Sequence, residues 1–366
     1  MNDIIYLDHA ATVPICDAAK KAIIKHLDDF GNPSSQYELG RQSRILIEDA
    51  RERIAKCINA EPNEIYFTSG GSEANTWVLH NSNVLATNIE HHSIWATAKM
   101  PVNQNGVIDA KLYEKTTEWL KDTATCMYVN NEIGTIQPIK EIAEIVHNKY
   151  MFFHTDAVQA IGHIPVDVKA LNCDMLSASG HKFGAPKGIG FLYINKEFKD
   201  FYNIIPLIQG GKQESGIRGG TENILGIVAM AAALEDAVEH MEARNKYVGI
   251  LRNNLLDRLR QIPGSHLNGS LKNRVPSNIN IRFDGVSGAK LVTLCSLYDI
   301  CISSGSACNE GIAEPSHVLK AIGLTDEEAL SSVRITLGHE NTEEEINYAA
   351  DIITELVERI RSDEED

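Results

Sequence analysis

Short apolar runs alternate with amphipathic segments through the middle of this 366-residue chain, and that alternation constrains the fold more than any other feature. The runs at residues 64–68, 84–87 and 152–155 are typical of buried strands, and residues 139–150 have the spacing of an amphipathic helix. Strands that alternate with helices predict a mostly parallel sheet covered by helices. Beyond a long helical region that starts near residue 222, further strands and helices predict a smaller α+β domain.

Composition narrows the partners and the compartment. The formal net charge is −16, which disfavours nucleic acid and membranes as direct partners. The first ten residues lack a basic segment followed by an apolar one, and the longest apolar run, residues 224–234, is too short to span a bilayer. Seven cysteines without a C-x-x-C pair predict reduced thiols in a cytoplasmic protein, with no disulfide framework and no metal site. We also expect a strand at residues 126–129 and a frayed acidic tail at residues 362–366.

Lys182 ends the stretch SASGHK, residues 177–182, which follows a short apolar run. A lysine that leaves a strand end into a turn of small residues is well placed to point into a cleft. Desolvation there lowers its pKa and lets it form a Schiff base with an aldehyde. The alternative is a surface lysine in a glycine-rich loop. Asp156 favours the first interpretation, because it ends an apolar run, and pyridoxal 5′-phosphate (PLP) needs a lysine for its aldehyde and a carboxylate for its ring nitrogen.

Four further candidates follow predicted strands, where ligands bind in α/β sheets. The stretch TSGGSE, residues 68–73, either offers main-chain N–H groups and a helix N-terminus to the cofactor phosphate or is an ordinary helix start capped by Ser72. His91 either stacks on an aromatic cofactor and relays a proton, or lies at the surface. Asn131 ends another strand, and Gln159 is placed to turn back toward a ring hydroxyl.

Two loops and one strand residue complete the candidates. The glycine-rich loop around Thr221 is either a flexible surface loop or a cover for the phosphate. Cys308 lies in the polar loop SSGSACNEG, residues 303–311, whereas the other cysteines lie in apolar or helical contexts. A free thiol on such a loop indicates that its reactivity is used. Arg334 alternates with apolar residues on a predicted strand, and it either binds a substrate carboxylate or forms a structural salt bridge.

Taken in order, these motifs resemble the cysteine desulfurases of the NifS/IscS type, which are class V, fold-type I PLP enzymes. The resemblance implies an α/β fold whose large domain, residues 13–240, contains a mostly parallel seven-stranded sheet. A smaller α+β domain, residues 1–12 and 241–366, is expected to carry the cysteine loop. The matching motifs are YLD at 6–8, GNPSS at 31–35, TSG at 68–70, NNEIG at 130–134, DAVQ at 156–159, SGHK at 179–182, RGGT at 218–221, SSGSAC at 303–308 and TEEEI at 342–346.

The resemblance also implies which residues hold the cofactor. Lys182 is expected to bind the PLP aldehyde, Asp156 to pair with the ring nitrogen, and Gln159 to pair with the phenolic oxygen. His91 is expected to stack on the ring, with Asn131 beside the cofactor. The residues expected at the phosphate are Gly71, Ser72, Ser179 and His181, joined by Thr221 from the second subunit of a homodimer.

The activity that the resemblance implies is cysteine desulfuration, with Lys182, Cys308 and His91 as the catalytic residues. L-cysteine, bound through its carboxylate by Asn32 and Arg334, becomes L-alanine, and its sulfur passes to Cys308 as a persulfide and then to an acceptor protein. An iron–sulfur scaffold, a tRNA-thiolation protein and a DNA-modification partner all stay open as the acceptor. The alternative enzymes are a selenocysteine lyase or another class V aminotransferase, and the alternative of another class is a catalytically silent docking scaffold. Three residues depart from the common family pattern and leave the acceptor and substrate preference open: His9, Val13 and His339.

Overall fold

The structure is a computed structural model that describes residues 4–94, 98–109, 122–201, 203–304, 308–309 and 312–365. The strands of the described part are β1 (Ile5–Tyr6), β2 (Ile65–Thr68), β3 (Val84–Thr87), β4 (Ala98–Met100), β5 (Thr123–Thr125), β6 (Phe152–Asp156), β7 (Met175–Ser179), β8 (Gly190–Ile194), β9 (Ser265–Leu267), β10 (Asn278–Phe283), β11 (Ile300–Cys301), β12 (Ser303–Ser304), β13 (Cys308–Asn309), β14 (Ile312–Ala313) and β15 (Ser332–Thr336).

Seven of these strands form the main sheet, in the order β2-β8-β7-β6-β5-β3-β4. All neighbours are parallel except β8, which runs antiparallel to both β2 and β7. Every residue of β7 and β8 is buried, as expected for strands covered by helices on both faces. The predicted mostly parallel seven-stranded sheet is therefore confirmed.

Helices cover the main sheet and build the second half of the chain. Four helices of the described part have only four to six residues and act as connections, whereas one helix is 36 residues long. The helices are α1 (Asp17–Lys25), α2 (Glu38–Cys57), α3 (Gly71–Asn81), α4 (Ile139–His147), α5 (Val168–Leu171), α6 (Lys196–Phe201), α7 (Ile224–Leu259), α8 (Gly288–Ser296), α9 (His317–Ala321), α10 (Asp326–Leu330) and α11 (Glu343–Glu365). None of the helices within the described ranges is long and apolar enough to cross a membrane.

Two separate apolar cores divide the chain, and α7 contributes to both. Its first half, with Leu234, packs into the core of the main sheet around Phe153 and Phe191. Its second half, with Leu256, packs into a core that contains Leu7 from the N-terminal segment and Ile335. That second core lies against a four-stranded antiparallel sheet in the order β12-β15-β10-β9. Two cores agree with a large and a small domain, and the exact boundaries stay a prediction.

The structure corrects two local predictions. The strand expected at residues 126–129 is β5, which begins three residues earlier. Thr123 and Thr125 are buried in the sheet, although a search for apolar runs would leave them out. Threonine is β-branched and fits a strand well. The tail expected to fray beyond residue 361 instead continues α11 to Glu365. Contacts near its end hold it, since Arg361 donates to the carbonyl oxygen of Asp284 and Asp363 lies 3.5 Å from Lys290.

Candidate active site

A cavity of about 280 Å³ opens where β6 and β7 end. Its walls come from segments far apart in sequence: the turn after β1, the start of α3, the ends of these two strands, and Arg334 on β15. Polar groups at the carboxyl ends of parallel strands meet at one edge of the sheet, which is where α/β folds bind ligands. The lining residues are Ala10, Ala11, Gly71, Ser72, Asn75, His91, Met127, Asn131, Asp156, Val158, Gln159, Ser179, His181, Lys182 and Arg334.

Lys182 enters the cavity from a single 3₁₀ turn, Gly180–Lys182, that follows β7 directly. Its Nζ donates hydrogen bonds to the main-chain carbonyl oxygens of Ala10 (2.6 Å) and Ala11 (2.7 Å). Burial, helped by the positive charge of Arg334, lowers the pKa of Lys182 to about 8, against the opposing charges of Asp8 and Asp156. The amine of such a lysine is partly neutral, and therefore nucleophilic, at a pH near neutrality.

Asp156 is the last residue of β6 and is 4% exposed. Its Oδ2 accepts a hydrogen bond of 2.7 Å from Nδ2 of Asn75, and its Oδ1 accepts one of 2.9 Å from the main-chain N–H of Val158. These two donors fix the carboxylate in the cavity wall. The sequence analysis missed Asn75, because a residue one turn into α3 looks like part of an ordinary helix.

The start of α3 forms a cradle for an anion beside β7. Gly70, with φ of +153°, caps the helix, and Gly71 leaves no room for a side chain: a Cβ there would lie 2.6 Å from Cγ2 of Val158. Main-chain N–H groups at a helix N-terminus and its positive dipole end favour a phosphate. Ser179 and His181 also line the cavity, and burial together with the charge of Lys182 lowers the pKa of His181 to about 4.

Arg334 is held from two sides on β15. Its Nη2 forms an ion pair of 2.7 Å with Oδ1 of Asp8, and its Nη1 donates to the carbonyl oxygen of Asn131 at 3.1 Å. Its Nε is buried and has no hydrogen-bond partner among the described residues. Arg334 therefore forms the structural salt bridge that the sequence allowed, and it also lines the cavity, where a substrate carboxylate could bind. Asp8 is a second partner residue that the sequence analysis did not identify.

The chain is similar in sequence to known enzymes of one family. A family model described as "Aminotransferase class-V" matches residues 5–348. A cysteine desulfurase IscS of Methanosarcina thermophila is 40% identical over 382 residues, covering 99% of this chain and 94% of that protein. The enzyme of the same name from Dictyoglomus turgidum is also 40% identical, covering 98% and 95%. The chain belongs to the class V aminotransferase family, among its cysteine desulfurases.

Solved structures of the family agree in fold. A NifS-like protein superposes with a TM-score of 0.89 at 34% identity, covering 97% of this chain and all of that one. A structure described as SspA in complex with cysteine has a TM-score of 0.78 at 32% identity, and covers 92% of this chain and all of that one. The fold-type I architecture implied by the sequence motifs is therefore confirmed.

Class V aminotransferases are PLP enzymes, and the residues of this cavity fit PLP. The amine of Lys182, whose pKa is lowered by burial, suits the aldehyde, and the buried carboxylate of Asp156 suits the ring nitrogen. The cradle at Gly71 suits the phosphate. Two buried polar atoms also lack partners among the described residues, Oδ1 of Asn75 and Nε of Arg334, and both residues line the cavity. A ligand with polar groups would satisfy such atoms, so the cavity is built for an occupant.

Most of the site residues predicted from the sequence line this cavity. Gln159 lines it and donates through Nε2 to the carbonyl oxygen of Ala10 at 2.9 Å. Asn32 and Thr221 are exposed and do not line it; the side chain of Asn32 instead accepts from the main-chain N–H of Ser34. The main chain of Cys308 pairs with Ala313 in the β13–β14 hairpin, and its side chain lies outside the described residues.

Proposed function

We propose that the protein transfers sulfur from L-cysteine to its own Cys308. In this reaction the C–S bond of cysteine breaks and an S–S bond to Cys308 forms, so that cysteine and a thiol become L-alanine and a persulfide. PLP, when bound, supplies the electron sink that makes the substrate Cα–H acidic. The observation that carries this proposal is the convergence of Lys182, Asp156 and Arg334 on one cavity in a chain 40% identical to cysteine desulfurases.

Each lining residue has a chemical task in this proposal. Arg334 offers its unpartnered Nε to the substrate carboxylate, next to Asn131. Asp156 keeps a negative charge where the cofactor ring nitrogen is expected, held there by Asn75. Lys182, with its pKa lowered to about 8, is a base of suitable strength for the Cα proton at neutral pH. Cys308 takes the sulfur, and His91 moves a proton.

The protein is also proposed to act as a homodimer. Six large apolar side chains between residues 24 and 45 are exposed, and Phe30 is 80% exposed. So many exposed apolar side chains in one segment indicate a protein–protein interface. Asn32 lies within it and Thr221 is exposed as well, so the substrate and phosphate roles proposed for these two residues need the second subunit. The exposed apolar side chains are Ile24, Leu27, Phe30, Tyr37, Leu39 and Ile45.

The next partner is proposed to be a protein that removes the persulfide sulfur, either an iron–sulfur scaffold or a thiolation protein.

A cytoplasmic location is proposed from the thiols, since six cysteines of the described part are free and reduced thiols are typical of the cytosol. These two proposals depend on chemistry outside the cavity and are separate from the reaction itself.

One experiment tests the proposed reaction. Purified, PLP-loaded protein is incubated with L-cysteine, and alanine and protein-bound persulfide are measured before any reductant is added. One alanine for each persulfide is expected in the first turnover, because one sulfur leaves each substrate molecule. Alanine without persulfide, or amino-group transfer to a 2-oxo acid, would replace the proposal with the lyase or aminotransferase alternative.

A further inference from the structure

A continuous line of hydrogen bonds joins Asp156 to His91. Nδ2 of Asn75 donates to Oδ2 of Asp156 at 2.7 Å and to Oγ of Ser93 at 2.9 Å. Oγ of Ser93 is in turn 2.7 Å from Nδ1 of His91. One amide group, 1% exposed, therefore contacts both the carboxylate proposed for the cofactor nitrogen and the serine that holds the histidine.

The direction of each hydrogen bond in this line follows from the chemistry of its donors. An amide nitrogen only donates, and its two hydrogens match the two acceptors, Asp156 and Ser93. Oγ of Ser93 therefore accepts from Asn75, and its own hydrogen is free for Nδ1 of His91. The main-chain N–H of Ser93 also donates to Nδ1 of His91, at 3.1 Å. Because a main-chain N–H cannot accept, Nδ1 must carry a lone pair and the ring proton must lie on Nε2.

The electrostatic surroundings favour the same neutral form. Desolvation by the cavity walls lowers the pKa of His91, and nearby His92 and Lys182 lower it further, whereas Asp156 raises it. His317 also faces this group of rings, 4.7 Å from His92 between centroids. With Nε2 protonated, His91 can donate a hydrogen bond from Nε2 and cannot accept one there.

We propose that Asn75 and Ser93 are positioning residues that hold His91 as the Nε2–H tautomer and orient Asp156 through the same amide. This inference rests on the proposed function and divides the roles of its two nitrogen groups. His91 offers a hydrogen bond from Nε2–H, and Lys182 acts as the base for the Cα proton. Neither Asn75 nor Ser93 needs to touch the reacting atoms for this division to hold.

The alternative is that Asn75 is only a buried helix residue with satisfied donors. Its Oδ1 has no partner among the described residues, although it is buried. An amide rotated by 180° would turn that oxygen toward the carboxylate of Asp156, where two acceptors would repel. The observed orientation is therefore fixed by Asp156 and Ser93 together, which is the coupling that the proposal uses.

The test reads the tautomer directly. PLP-loaded protein labelled with ¹⁵N-histidine is examined by long-range ¹H–¹⁵N NMR, with His91→Gln used for assignment. An unprotonated Nδ1 and a protonated Nε2 are expected for His91. Asn75→Ala and Ser93→Ala should shift the His91 nitrogen signals away from the wild-type pattern, because the hydroxyl hydrogen bond to Nδ1 is loosened or lost while the main-chain N–H of residue 93 still donates there. Ser93→Thr should restore the wild-type pattern, and Ser82→Ala, which removes a hydroxyl bonded only to Val78 at the end of α3, should change nothing.

The effect of Asn75→Ala is the decisive measurement, because Asn75 has no contact with the His91 ring. A change in the His91 nitrogen signals, together with weaker retention of PLP on dialysis, is expected. In Ser93→Ala, kcat for cysteine should fall roughly tenfold with KM little changed. A proton on Nδ1 in the wild type, or His91 signals unchanged in both alanine variants, would overturn the inference. These signals do not depend on turnover, so absent desulfuration would contradict the proposed function alone.

Discussion

Nζ of Lys182 lies 2.6 Å from the main-chain carbonyl oxygen of Ala10, in the turn that follows β1. The same oxygen accepts from Gln159, so the N-terminal segment closes the cavity over two residues proposed to contact the cofactor. Leu7, three residues before Ala10, packs into the second core, whereas Lys182 follows a strand of the main sheet. A shift of one core relative to the other would therefore change the hydrogen bonds of the reactive amine.

The first prediction concerns the pH at which Lys182 captures PLP. The neutral amine attacks the aldehyde, and burial lowers the pKa of Lys182 to about 8. Covalent loading of PLP-free protein should therefore speed up as the pH rises through about 8 and level off above it. Stopped-flow absorbance at several pH values measures this. Lys182→Ala should not load covalently, while Lys187→Ala, which removes an exposed lysine in the same loop, should load like the wild type. A midpoint near 10.5 would show an ordinary surface lysine.

The second prediction concerns Asp156→Asn. The amide keeps the shape of the carboxylate and can still accept from Val158, so the fold and PLP binding should persist. It cannot stabilise a protonated ring nitrogen, and turnover of cysteine should fall by about 100-fold or more. Alanine production and bound PLP are measured on the same samples. Turnover equal to the wild type would show that another group faces the ring nitrogen.

Arg334→Ala tests the carboxylate site. The substrate would lose a charge-assisted partner for its carboxylate, so KM for cysteine should rise about 100-fold, or roughly 3 kcal/mol. Asp8→Asn should raise KM less, because Arg334 keeps its charge and loses only the ion pair of 2.7 Å. Arg282→Ala is the matched control, since that arginine lies on the neighbouring strand β10 and pairs with Glu328 of α10. A loss of thermal stability with unchanged KM would leave Arg334 with the structural salt bridge only.

Sequence and structure agree best where a residue ends a buried strand. Asp156 and Lys182 were predicted to lie side by side, and they do line one cavity, because the direction of parallel strands fixes which ends meet. The sequence around Asn75 and Ser93 does not indicate their roles, since the two residues lie in separate segments that meet only in the folded chain. Asn32 and Thr221 stay predictions, because a single chain leaves both of them exposed.

The fourth prediction is that a charged side chain placed in the proposed dimer interface separates the two subunits. Phe30→Glu places a carboxylate among the six exposed apolar side chains of residues 24–45, and burying it there would cost several kcal/mol. Sedimentation should show a dimer for the wild type and a monomer for the variant. Tyr150→Glu is the control, since Tyr150 is exposed on a turn outside this segment. A dimer that survives Phe30→Glu would place the interface elsewhere.

The fifth prediction is that Cys308 alone carries the transferred sulfur. Burial raises the pKa of every thiol in the described part, to about 11 for Cys57 and about 12 for Cys295, so none of them forms a thiolate readily near neutral pH. Cys308 lies in the one polar, glycine- and serine-rich cysteine segment of the sequence. A thiolate, not a thiol, attacks the substrate sulfur, so the described cysteines are poor carriers.

Cys308→Ser should keep PLP and still bind cysteine, because the hydroxyl changes neither Lys182 nor Arg334. It should release alanine at least about 1000-fold more slowly, since the nucleophile itself is lost. Mass spectrometry of wild-type protein after incubation with cysteine, without reductant, should find a +32 Da adduct (one sulfur atom, roughly placed from the proposed persulfide) on the peptide that contains Cys308. Cys301→Ser, seven residues away, should keep both the adduct and the rate. If the adduct maps to Cys301 or Cys126, or if Cys308→Ser makes alanine at the wild-type rate, sulfur transfer through Cys308 is wrong and a lyase or aminotransferase reaction takes its place.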